Sequence, residues 1–171
     1  MRVESADVIH NFWVPQLARK IDATPGRPVA MWLQANRPGV FLGACGEFCG
    51  VEHAWMRIRV IAHTAPQYAA WQGAQVRPPA RPVASDAIAG ERLYQQLACA
   101  TCHASSVAVG PDLTHLASRE TLAGGVIENT AANLTRWLAN PDAVKPGSLM
   151  PNFHLAAREV GELVAYLETL K

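Results

Sequence analysis

Cys45-Gly-Glu-Phe-Cys49-Gly-Val-Glu-His53-Ala-Trp-Met56 packs two thiols, an imidazole and a thioether into twelve residues. Thiolate and thioether are soft donors that select copper, zinc or iron–sulfur. Val40-Phe-Leu-Gly43 leads straight into the first thiol. After the cluster, Met56, Ile58, Val60 and Ala62 alternate with Arg57, Arg59 and Ile61, the period-two pattern of a strand with one covered face. Upstream, the apolar run Val29-Ala-Met-Trp-Leu33 meets a turn signal at Asn36-Arg-Pro-Gly39. Residues 29–62 therefore have β character.

The donors narrow the metal. A zinc site needs a further Cys or His, which His10 can supply. A single blue copper takes two His, one Cys and a weak Met, leaving one cysteine idle. Two cysteines, two histidines and a methionine overfill either site. They suit a binuclear centre in which both thiolates bridge two coppers and each copper takes one histidine.

A second thiol pair of different spacing, Cys99-Ala-Thr-Cys102-His103, is the attachment signature of a c-type haem. Cys99 and Cys102 reach the two vinyl groups of one porphyrin, and His103 then falls beneath the iron. A redox pair or half a zinc site is the rival reading, but no second Cys pair of zinc-ribbon type follows it and no thioredoxin-like βαβ pattern surrounds it. A low-spin electron-transfer haem takes a sixth ligand. Residues 85–171 contain one methionine, Met150, in a Gly/Pro-punctuated loop; His115 and His154 are the competitors. Elimination favours Met150.

The surroundings of this pair read as helical. Asp86–Leu97 places Ile88, Leu93, Tyr94 and Leu97 near one face, Asn133–Leu138 ends at Asn140-Pro141, and Ala157–Leu170 carries Val160, Leu163, Val164 and Leu167 at helical spacing. Thr64-Ala-Pro-Gln is a helix start, with Thr64 as cap, Pro66 in the first turn, and Tyr68 and Trp71 on one face. Residues 73–85 hold three prolines and read as a semi-extended linker. The expected organisation is thus residues 1–72, a Pro/Ala-rich linker at 73–85, and residues 86–171.

Half of the 171 residues are hydrophobic and the net charge is +1, which gives no reason to expect nucleic acid. The halves differ in sign: residues 1–84 carry nine Lys/Arg against five Asp/Glu, and residues 85–171 six against nine. No run of about 18 apolar residues marks a membrane span, and the N-terminus lacks the regions of a secretion signal. As written, the chain reads as soluble.

Residues 86–171 resemble class I cytochrome c domains. Gly90 and Tyr94 on the first helix and Tyr166 on the last match that family's crossed terminal helices. The resemblance implies that the Pro111 carbonyl accepts a hydrogen bond from the His103 ring, and that Trp137 faces a haem propionate. As a core aromatic, Trp137 is equally natural.

Residues 5–71 resemble subunit II of haem-copper cytochrome c oxidases. The match runs through Ser-Ala-Asp-Val-Ile-His-Asn-Phe-Trp-Val-Pro15, Lys-Ile-Asp-Ala-Thr-Pro-Gly-Arg27 and Gly-Ala-Cys-Gly-Glu-Phe-Cys-Gly-Val-Glu-His-Ala-Trp-Met56. It implies a mainly-β cupredoxin-like sandwich with a binuclear CuA centre, held by His10, Cys45, the Glu47 carbonyl, Cys49, His53 and Met56. The Glu47 carboxylate would reach a magnesium ion at the interface with subunit I, or is simply an exposed acid in a loop. Trp13, beside His10, suits a docking surface, an electron path or plain packing. The family places two membrane helices and several strands before the histidine that matches His10. The sandwich is therefore expected to be incomplete at its N-terminus, with an unpaired edge and without the anchor.

A CuA domain followed by an all-α haem c domain resembles the caa-type oxidases. That implies an electron-transfer subunit on the outer face of a bacterial plasma membrane. It would be fed by a quinol-oxidising complex or a cytochrome c and would deliver to subunit I for oxygen reduction. A nitric or nitrous oxide reductase partner and a stand-alone copper-binding redox module are the rival functions.

Overall fold

The computed structural model describes residues 1–17, 19–103 and 109–171. The chain divides into two compact units, the first chiefly Met1–Gln72 and the second Gly73–Ala123 with Ile127–Lys171.

The first unit is built from β1 (Arg2–Val3), β2 (His10–Trp13), β3 (Lys20–Ala23), β4 (Val29–Ala30), β5 (Gly39–Cys45) and β6 (Arg57–Ala62). β1 pairs with β4, while the other four form an antiparallel sheet in the order β3-β2-β5-β6. Of the apolar run at 29–33, only the first two residues pair as a strand. Val14, Leu17 and Phe41 form the buried core, with Phe12, Ile58 and Val60 packed against them. Phe41 is buried while its neighbours Val40 and Leu42 are exposed, so the sheet has one covered face, as strand pleating requires. Thr24-Pro-Gly-Arg27 closes a turn through the Arg27 N–H on the Thr24 carbonyl (3.1 Å), and Gly26 takes the positive φ of +68° that this turn needs.

Helix α1 (Ala65–Gln75) follows β6. Its start differs from the expected cap. The Thr64 hydroxyl turns to Gln67 Oε1 (2.9 Å), and the same oxygen accepts the Thr64 N–H (3.0 Å), so the reach-back half of a capping box does the work. Tyr68 and Trp71 stack at 5.6 Å between ring centroids. The helix runs to Gln75, so residues 73–75 of the expected linker are helical, and Ser85 already belongs to the next helix.

The second unit contains α2 (Ser85–Gln96), α3 (Ala100–His103), α4 (Ala131–Ala139), α5 (Pro141–Val144) and α6 (Ala157–Leu167). One short hairpin, β7 (Thr121–Leu122) with β8 (Ile127–Glu128), accompanies these helices. Ala123, Gly124 and Gly125 all take positive φ in its turn. α2 and α6 cross at Gly90. A Cβ there would run into the Glu162 carbonyl and lie 2.8 Å from the Tyr166 Cβ, so only glycine permits this approach. Tyr94 and Tyr166 meet beside the crossing at 5.5 Å. The buried face of α2 is Ala87, Gly90 and Tyr94, while Ile88 and Leu93 are only partly covered. Leu134, Leu138, Val160, Leu163, Val164 and Leu167 complete the core. Asn140 follows the last residue of α4, and its side chain caps α5 through the Ala143 N–H (3.2 Å). Among the described residues, no helix is long and apolar enough to cross a membrane.

Candidate metal centres

Strand register creates the first cluster. Phe12 faces Cys45 across β2 and β5, and His10 lies two residues from Phe12 on the same strand face. Beyond Cys45 the chain leaves the sheet and returns at Met56. The Cys45 N–H donates to the Met56 carbonyl (3.0 Å), which closes the loop at its base. Within it, Gly50 adopts φ +117°, and the His53 N–H donates back to the Gly50 carbonyl (3.0 Å), turning His53 inward on a 3-10 helix that spans His53–Trp55.

One ligand atom each from His10, Cys45 and Cys49 lie within 4.8 Å of one another. His10 Nδ1 is 4.0 Å from Cys45 Sγ, and the Glu47 carbonyl oxygen is 3.1 Å from the same sulfur. His53 Nδ1 and Met56 Sδ lie 3.6 Å and 3.8 Å from Cys49 Sγ. All four cysteines of the chain are free thiols. Burial opposes ionisation of Cys45, but backbone hydrogen bonds with Asn11 and Glu47, together with His10 and Cys49, bring its thiol down to about 7. At Cys49, burial and the neighbouring Cys45 push the thiol up. The two sulfurs therefore prefer to share one negative charge until a cation neutralises a second. Soft sulfur donors dominate, no carboxylate oxygen joins them, and the donors outnumber what one tetrahedral ion takes.

The remaining residues expected here fall outside the donor set. The Glu47 carboxylate is exposed; only its carbonyl faces the cluster. Trp13 sits on the opposite face of β2 from His10, with the Lys20 ammonium 4.4 Å above its ring.

Two residues that sequence reasoning missed hold the donors in place. Asp7 Oδ1 accepts the His10 Nε2–H at 2.8 Å. Asn11 grips the start of the loop: its N–H points at Cys45 Sγ (3.4 Å), and its carbonyl accepts the Gly46 N–H (3.0 Å). Its side chain donates to Asp22 (2.7 Å). A Cβ on Gly46 would lie 2.5 Å from Asn11 Oδ1, so Gly46 keeps this grip close. The spacing Asp-x-x-His was the only sequence signal for either.

In the second unit, α2 and its cap Leu97 are followed by an Ala98 held at φ +53°, and the chain turns so that the Cys99 N–H meets the Tyr94 carbonyl (3.1 Å). Cys102 and His103 follow on α3. His103 Nδ1 lies 2.8 Å from the Pro111 carbonyl. A carbonyl only accepts, so Nδ1 carries the proton and Nε2 keeps its lone pair. Gly110 lies tightly against this ring: a Cβ there would approach His103 Cε1 to 2.8 Å. Met150 is half-buried against the core that also contacts Cys99. Trp137 is half-buried on α4. His115 is buried, with Nε2 donating to the Gln75 carbonyl (3.0 Å), whereas His154 is exposed at φ +52°.

These features define a class of protein: a β-sheet domain with a sulfur-rich metal cluster, joined to a helical domain with a haem attachment pair. Residues 1–63 match the family model "Cytochrome C oxidase subunit II, periplasmic domain", and residues 87–171 match "Cytochrome c". Cytochrome c oxidase subunit 2 of Alkalihalophilus pseudofirmus is 38% identical over 99% of this chain and 50% of its own length. That of Bacillus sp. strain PS3 is 32% identical over 98% of this chain and 51% of its own. A crystal structure of the periplasmic domain of subunit II of cytochrome oxidase from Bradyrhizobium japonicum is 43% identical, covering 41% of this chain and 51% of that one, with a TM-score of 0.40. The chain thus joins a cytochrome c oxidase subunit II periplasmic domain to a cytochrome c domain, and its relatives over nearly its whole length are cytochrome c oxidase subunits 2. It spans about half the length of the curated relatives it matches.

Proposed function

We propose that this chain is the electron-carrying part of subunit II in an oxygen-reducing haem-copper oxidase, on the extracytoplasmic side of the membrane. The observation that supports it is the gathering of His10, Cys45, Cys49, His53 and Met56 at one end of the sheet, on the same chain as the Cys99, Cys102 and His103 group. Bound in these places, a copper pair and a haem c would supply one-electron redox chemistry between an upstream donor and subunit I.

The protein's own residues set the terms for that chemistry. Cys45, Cys49, His10 and His53 through Nδ1, Met56 and the Glu47 carbonyl would hold the copper pair. With the Cys45 thiol brought down to about 7, metal binding has less of a proton to displace there at neutral pH than at an ordinary thiol. The loop is closed by backbone bonds at its base and at Gly46, so its donors move little between oxidation states, and low reorganisation favours fast transfer. On the cytochrome side, the Pro111 carbonyl fixes the His103 tautomer and leaves the Nε2 lone pair for a haem iron. His115 is committed to Gln75, so Met150 would be the residue left to supply a second ligand to that iron. Phe48 and Val51, 77% and 89% exposed on the ligand loop, offer apolar contact to subunit I, and the Glu47 carboxylate beside them is free to face a magnesium ion there.

Copper loading of the full chain tests the reading. Two coppers per chain sharing one unpaired electron by EPR is the expected result. One zinc, or one isolated Cu(II), would refute it.

A further inference from the structure

Three residues before His10, a carboxylate is placed where it governs which nitrogen of that ring is free. Asp7 Oδ1 is 2.8 Å from His10 Nε2, and His10 Nδ1 is 4.0 Å from Cys45 Sγ. A neutral imidazole has one N–H. With an anion against Nε2 the proton stays there, and the Nδ1 lone pair faces the sulfur cluster. Asp7 is itself held. The Ser5 hydroxyl, within reach of both Asp7 Oδ1 (3.1 Å) and the Val8 carbonyl, accepts the Asp7 N–H (3.3 Å). Ser5 is 8% exposed and is anchored by a backbone bridge to Pro25, so the base of the arrangement is buried even though the carboxylate is not.

The Asp7 side chain is 69% exposed. An exposed ion pair contributes little to folding. What Asp7 does for the protein is therefore concentrated on the ring it contacts, and removing it leaves the fold nearly untouched.

Building on the copper reading above, we propose that Asp7, supported by Ser5, is a positioning residue. It locks His10 in the Nε2–H tautomer and adds negative charge behind the ligand, which favours the oxidised, more positive centre. The charge and the orientation separate experimentally. Asp7→Asn keeps an oxygen that can accept the Nε2–H but removes the charge, while Asp7→Ala removes both.

The first measurement needs no metal. In the full chain, nitrogen-15 NMR in buffer alkaline enough to keep the ring neutral reads the His10 tautomer directly. Wild type and Asp7→Asn should show Nε2–H, and Asp7→Ala a mixture of the two tautomers. A wild-type Nδ1–H ring, or an Asp7→Ala ring identical to wild type, overturns the proposal whatever the metal content. The second measurement uses copper-loaded chains. Asp7→Asn should keep full copper content with a raised reduction potential. Asp7→Ala should raise the potential as well and weaken copper retention by about 10–100-fold. Potentials that do not move in either variant also overturn it. If the wild-type ring is Nε2–H but the chain does not take up two coppers, the copper reading fails and the assignment of Asp7 as the group that sets the tautomer stands.

Discussion

Replacing Gly90 with alanine sets two effects of opposite sign against each other. By helix propensity alone, alanine in place of an interior glycine on α2 should stabilise by about 1 kcal/mol. The crossing with α6 opposes it. The new Cβ would collide with the Glu162 carbonyl, a backbone atom that cannot rotate aside, and would stand 2.8 Å from the Tyr166 Cβ. Relieving both contacts means separating the helices by roughly 1 Å, and gaps of that size forfeit a quarter to a half of each dispersion contact along the seam. Overpacking of this kind costs about 1–3 kcal/mol, and losses at Tyr94, Leu163 and Leu167 add to it. Subtracting the propensity gain leaves a net loss of up to about 2 kcal/mol from overpacking, to which the packing losses add, so Gly90→Ala is expected to destabilise. Gly161, on α6, is the internal control, since a Cβ there meets nothing within 4 Å. Gly161→Ala should stabilise by about 0.5–1 kcal/mol. Urea unfolding of the full haem-loaded chain, followed by far-UV circular dichroism, measures both. If the two alanines shift the midpoint in the same direction, the close crossing is not what excludes a side chain at position 90.

Ala98→Gly should stabilise by about 1 kcal/mol in the same assay, because a non-glycine residue is held at φ +53° before Cys99. Burial pushes the Tyr94 phenol from 10.0 up to about 12, so the fold favours the neutral form. That contribution is complete below pH 10 and is lost as pH rises through 10 toward 12, amounting to about 2–3 kcal/mol. Tyr94→Phe should remove its share of this slope, so urea midpoints measured on either side of that window will lie closer together than in wild type, with the remainder carried by groups such as Tyr166, whose phenol burial also raises. Gly46→Ala, which would put a Cβ 2.5 Å from Asn11 Oδ1, should lower copper content per chain while the sheet's circular dichroism is retained; full loading would contradict the proposed grip.

What the sequence revealed depended on how many residues each feature had in which to repeat. β6 alternates over six residues and was readable as a strand. α6 repeats its apolar stripe over eleven. β7 and β8 have two residues each, too few for any period, and their turn hides its Ala123 at a positive φ normally left to glycine. The boundary near residue 73 blurred because α1 contains no charged residue and its glycine resembles the linker that follows. Asn140-Pro141 was readable as a stop to α4; that the same pair also starts α5 was not, because a residue that caps one helix can follow directly on the end of another. At the Cys45–Met56 loop, the side chains that the structure brings together, His10, Cys45, Cys49, His53 and Met56, were legible from spacing and chemistry, and the Glu47 carbonyl only through the family resemblance. Asn11 was not, because its effect depends on where the β2–β3 and β2–β5 registers place it, and Asp7 showed only as an Asp-x-x-His spacing that does not reveal where its carboxylate turns.

The bond from the Cys45 N–H to the Met56 carbonyl has a consequence for how such a protein can change over time. The β5–β6 pairing runs up to that bond, and no residue from 47 to 55 belongs to the sheet's core. Insertions, deletions or substitutions from residue 47 to residue 55 can therefore alter which metal is held, and how tightly, without asking the strands to re-pair. The loop is free to diverge at the pace of its chemistry, while the scaffold beneath it drifts at the slower pace set by its core.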